Sequence, residues 1–92
     1  MIVRIAGEDQ FKLEGDAQVR LQELDEAVLA AVERGDEETF ERTFKELLDF
    51  VRTHGSQLGE EELASSDLIL PPADTTLQEA RENFSGEGWL PD

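Results

Sequence analysis

Between positions 16 and 55 the apolar residues return every three or four places. Val19, Leu21, Leu24, Val28, Ala31 and Val32 form one series; Phe40, Phe44, Leu47, Leu48 and Val51 form a second. That spacing lines each series along one side of a helix, with acids and arginines on the other side. The punctuation supports two helices joined by a tight turn at Arg34-Gly35-Asp36. Asp16 and Asp36 suit N-caps, Glu37 and Glu38 suit an electropositive first turn, and Gly35 and Gly55 fall where helices end. So short a connection predicts an antiparallel helical hairpin over 16–55. The stripes run for only about two heptads per helix, too short for a coiled coil.

Elsewhere the period is two. Met1 to Ala6 is β-branched and alternating, Gly7-Glu8-Asp9 is a turn signal, and Gln10 to Glu14 alternates again with Phe11 and Leu13 on one face and Lys12 on the other. Residues 1–14 therefore predict a β-hairpin with a three-residue loop. An isolated hairpin is marginal in water, so Ile2 or Val3, Phe11 and Leu13 are expected to pack on the helices. Residues 56–66, with the acidic run Glu60-Glu61-Glu62, predict a loop. Leu68-Ile69-Leu70 is a short bounded apolar run, a third strand stopped by Pro71 and Pro72 and placed beside the N-terminal hairpin. Thr76-Leu77-Gln78-Glu79 has the form of a capping box and starts a short helix reaching about Phe84, followed by a tail. The whole of 1–92 reads as one α+β domain. Its helical hairpin packs on a small, mainly antiparallel three-stranded sheet, in the order β-β-α-α-β-α.

Charge narrows the partners. The chain has 23 acids against 8 bases, a net charge of −15. Nucleic-acid binding needs Lys and Arg to replace phosphate counterions, and no basic cluster is present, so nucleic acid is excluded as a direct partner. An anionic membrane surface repels such a chain for the same reason. No stretch approaches the roughly 20 apolar residues of a membrane span, and Met1-Ile2-Val3-Arg4-Ile5 lacks the features of a secretory signal. With no cysteine, disulfides and thiolate metal sites are excluded. A cytoplasmic protein fits these features.

No motif encodes a reaction. His54 is the only histidine, and it stands near a helix C-terminus, where it interacts well with the last carbonyls. The acid runs lack the alternating oxygens and turn glycine of a calcium loop. Gly7 and Gly15 lie too far apart for a nucleotide loop, and no Ser matches a His and an acid. Arg34-Gly35-Asp36, an adhesion-like tripeptide, is explained by a helix end followed by a cap. Catalytic, cofactor and metal residues are accordingly none. Leu68, Ile69, Leu70, Trp89 and Leu90 have two readings: they complete the core, or they form an apolar patch that a partner covers, since aromatic anchors dominate interface energetics.

Several stretches carry a family likeness: Met1-Ile2-Val3-Arg4-Ile5 with Gly7-Glu8; Leu24-Asp25 and Ala30-Ala31-Val32; Ser66-Asp67-Leu68-Ile69-Leu70-Pro71-Pro72-Ala73-Asp74; Thr76-Leu77-Gln78-Glu79-Ala80; and Gly86-Glu87-Gly88-Trp89-Leu90-Pro91. Through them the chain resembles, end to end, the small PspA-associated protein family, PspAA. The helical part is generic and the Leu-Ile-Leu-Pro-Pro-Ala-Asp stretch is the more specific. The resemblance implies a non-enzymatic cytoplasmic partner of phage-shock protein A, a long membrane-remodelling coiled coil related to the ESCRT-III group and acting in envelope stress. It implies recruitment to the inner face of the membrane through that partner, and no active-site residues. The alternative is a small acidic regulatory or structural homo-oligomer with another protein partner.

Overall fold

The structure, a computed structural model, describes residues 1–58 and 66–83. The elements in chain order are β1 (Ile2–Ile5), β2 (Gln10–Lys12), α1 (Asp16–Arg34), α2 (Glu37–His54), β3 (Ser56–Gln57), β4 (Leu68–Leu70) and α3 (Leu77–Asn83).

The two long helices form as their periodicity requires. Leu21, Leu24, Val28, Ala31 and Val32 of α1 are buried, as are Phe40, Phe44, Leu47, Leu48 and Val51 of α2. Each such Leu, Val or Phe contributes roughly 1.5–3 kcal/mol on burial. Val19 departs from the expected stripe and is 56% exposed. It stands two residues from Leu21, about 200° around the helix, and so faces away. Asp25, four residues past Leu21, takes a place on the inward stripe and is buried.

The α1–α2 turn uses Gly35 in the left-handed conformation, φ 66°, with Gly35 N–H bonded to Val32 O and Asp36 N–H to Ala31 O, both at 3.1 Å. Asp36 then caps α2: its carboxylate accepts the Thr39 N–H at 3.1 Å and the Thr39 hydroxyl at 2.7 Å. The Thr39 bonds hold the Asp36 carboxyl below the usual range. The cap of α1 is Gly15, not Asp16; at φ 61°, ψ −131° Gly15 occupies backbone space that favours glycine. Asp16 sits within the first turn, where its charge suits the dipole. Thr76 and Glu79 form the expected capping box, each accepting the other's N–H, at 3.2 and 3.1 Å.

The sheet has four strands in the order β3-β2-β1-β4. β1 runs antiparallel to β2 with Val3 opposite Phe11, β2 antiparallel to β3 with Phe11 opposite Gln57, and β1 parallel to β4 with Arg4 beside Ile69. The expected three strands are therefore four, the sheet is mixed, and the order is β-β-α-α-β-β-α. The extra strand, β3, buries no side chain and is held by polar contacts: Leu58 N–H continues the backbone pairing to Gln10 O at 2.9 Å, and Gln57 Nε2 donates to the Asp9 carboxylate, while Ser56 and Gln57 stay exposed. Strand alternation divides the sheet. Val3, Ile5, Phe11, Leu13, Leu68 and Leu70 are buried with the helices in one core, which α3 joins through Ala80.

Gly55, after α2, is extended at φ −82° and makes no left-handed cap. Its side-chain hydrogen is required by space: a Cβ there would stand 2.6 Å from Val51 O and 2.8 Å from Phe11 Cβ. The end of α2 is thus pressed directly onto β2.

Candidate partner-binding surface

β4 is fastened to β1 at both ends. Asp67 accepts the Ile2 N–H on its carboxylate at 2.8 Å and donates its own N–H to Ile2 O at 2.8 Å; Ala6 N–H reaches Leu70 O at 2.9 Å. This seats Leu68 and Leu70 in the core, at 3% and 0% exposure, and turns Ile69 outward at 61%. The apolar triplet thus splits. Two side chains complete the core and one is presented to solvent. Trp89 and Leu90, with Phe84 and the Glu60–Glu62 run, lie outside the described residues.

The outward face of the sheet carries Ile2 and Arg4 from β1, Gln10 and Lys12 from β2, and Ile69 from β4, by alternation from the buried set, with the exposed Glu14 and Asp67 on the same side just beyond the strand ends. Gln10 Nε2 donates to Ser66 Oγ at 2.8 Å, and Lys12 Nζ pairs with Glu14 at 3.2 Å. The outward surface of the helical hairpin differs: Glu23, Glu26, Glu33, Glu37, Glu38, Glu41, Glu46 and Asp49 are all exposed there.

A groove of about 500 Å³ separates α2 from residues 73–76, with Phe40, Phe44 and Leu48 along its floor and Lys45, Asp49, Arg52 and Asp74 among its rim. Sequence reasoning missed it because its two walls are distant in the chain. Arg52 also binds the Glu8 carboxylate, and that contact first of all lowers the Glu8 pKa and raises that of Arg52. His54, in the last turn of α2, stacks on Phe50 with ring centroids 4.6 Å apart. Among the described residues no group of three or more His, Cys, Asp or Glu is arranged to hold a metal ion.

These features define a small α+β domain whose sheet sets Ile69 beside Arg4 at the middle of its outward face and whose helices show an acid-rich surface. The chain belongs to the PspA-associated protein family, PspAA, whose family model matches residues 1–92. No curated protein and no solved structure matches it. Among the described residues no helix is long and apolar enough to cross a membrane.

Proposed function

We propose that this chain is a non-enzymatic protein-binding module that associates with a phage-shock protein A-like, membrane-remodelling coiled coil in the envelope stress response. The observation that carries the reading is the match of the entire chain to a family described by its association with PspA. Two features support it. On the hairpin surface solvated carboxylates outnumber the exposed Arg20, Arg34, Arg42 and Lys45, a balance suited to attracting basic stretches of a long helix. Ile69 is a large apolar side chain left at the surface. The module acts in the cytoplasm and reaches the inner face of the membrane through its partner.

The test uses purified phage-shock protein A-like protein, immobilised, and the full chain in solution over a salt series. Retention at low ionic strength that weakens as salt rises is expected, because screening shortens the reach of the acid surface. Absence of retention even at the lowest salt removes the proposal.

A further inference from the structure

We infer that the partner docks on the outward face of the sheet, through an amphipathic helix that lays its apolar stripe on Ile2 and Ile69 and sets a carboxylate against Arg4. This rests on the binding-module reading above and adds the face and the chemistry of contact.

A sheet side left to water ordinarily carries polar residues. Here the centre of β4 is Ile69, β-branched and 61% exposed. In the parallel register it lies beside Arg4, which lies opposite Gln10 on the next strand. Lys12 already has Glu14. Arg4 pairs with no carboxylate among the described residues, in a chain of 23 acids and 8 bases. The middle of this face is therefore apolar and positive while the hairpin surface is acidic.

Size and edge chemistry select the occupant. Strands spaced about 4.8 Å apart make a four-stranded face roughly 19 Å wide, and a helix with its side chains is about 10–12 Å across, so one helix fits. A partner strand would add at an outer strand instead, β4 or β3. β4 is three residues long and runs into Pro71 and Pro72, which donate no N–H, and β3 is only two residues long. Charge selects the helix's polar residues. An Asp or Glu flanking its apolar stripe gains a charge-assisted bond to Arg4, and a Lys or Arg there meets like charge.

The experiment titrates purified phage-shock protein A-like protein calorimetrically with the full chain and with three variants, Ile69→Asp, Arg4→Glu and Val19→Asp. Val19 is similarly exposed but lies on α1. Circular dichroism checks each fold, and Arg4→Glu keeps the test open should Ile69→Asp unfold. Ile69→Asp and Arg4→Glu should each weaken binding at least about tenfold, the scale of an interface anchor, with Val19→Asp unchanged. Wild-type affinity in both sheet variants overturns the docking face and leaves the binding function standing; no binding by the wild-type chain overturns the function itself. Tighter binding by Arg4→Glu overturns the carboxylate assignment. A wild-type chain that sediments as a dimer, and as a monomer with Ile69→Asp, makes a second copy the occupant and overturns the inference.

Discussion

Arg52 grips the carboxylate of Glu8 through two parallel hydrogen bonds, Nε to Oε1 at 2.9 Å and Nη2 to Oε2 at 2.6 Å, across 44 residues of sequence. Its Nη1 also holds Asp49 at 3.1 Å. The pair ties the β1–β2 turn to the last turn of α2. Arg52's hydrogen bonds hold the Glu8 carboxyl below its usual range. A lowered folded-state value means the stabilisation is full above the unfolded pKa and is lost as pH falls through the folded one. The two side chains remain 34% and 35% exposed, so solvent screens the pair to about 0.5–1 kcal/mol. A double-mutant cycle of Glu8→Gln and Arg52→Gln, read by urea unfolding, should show that coupling at neutral pH. It should shrink below about pH 4, where glutamate protonates. A coupling that persists in acid contradicts the assignment.

The stacked pair Phe40 and Phe44, with ring centroids 5.4 Å apart, lies in the shared core, at 0% and 3% exposure. Phe44→Ala should cost about 3–5 kcal/mol. Domains of this kind have a total stability of about 5–15 kcal/mol, so a large drop in the urea midpoint is expected. Phe44→Leu should lose much less, because it leaves a smaller cavity.

Gly55→Ala tests the close approach of α2 to β2. The added methyl meets the Val51 carbonyl oxygen and the Phe11 Cβ at under 3 Å, and a backbone atom cannot swing aside. A loss of about 1–3 kcal/mol is expected, as for overpacking in a core. Thermal unfolding checks it, and an unchanged midpoint would mean that the helix end can shift outward freely.

With a net charge of −15, the folded state repels itself. Adding salt from low to physiological ionic strength should raise the melting temperature, since screening relieves repulsion among many acids and weakens only a few exposed ion pairs. A fall in melting temperature over the same range would show that those pairs outweigh the repulsion.

The helical hairpin was legible because each stripe repeats several times and Gly35 and Asp36 mark the turn. The first β-hairpin and the Thr76–Glu79 box were legible for the same reason, a pattern tied to a backbone need. Ser56 and Gln57 carry no such pattern: Gly55 delivers the chain against Phe11, and pairing with β2 and the Gln57–Asp9 bond complete the strand. The run Leu68-Ile69-Leu70 announced a strand but not its direction, since alternation reads the same both ways; the Asp67 bonds to Ile2 align it with β1. Alternation also separates Ile69 from its two neighbours. The candidate patch was thus legible as an apolar run, and which of its members faces water came from the sheet's single helical layer. Arg4 gained its place beside Ile69 only through the parallel register.

Sedimentation velocity of the chain mixed with phage-shock protein A-like protein tests most directly whether it works as a binding module. At low ionic strength the chain should leave its own slow boundary and travel with the larger protein, in proportion to the amount of that protein added. Two boundaries that keep their separate speeds at every ratio, with the chain folded, would contradict the account.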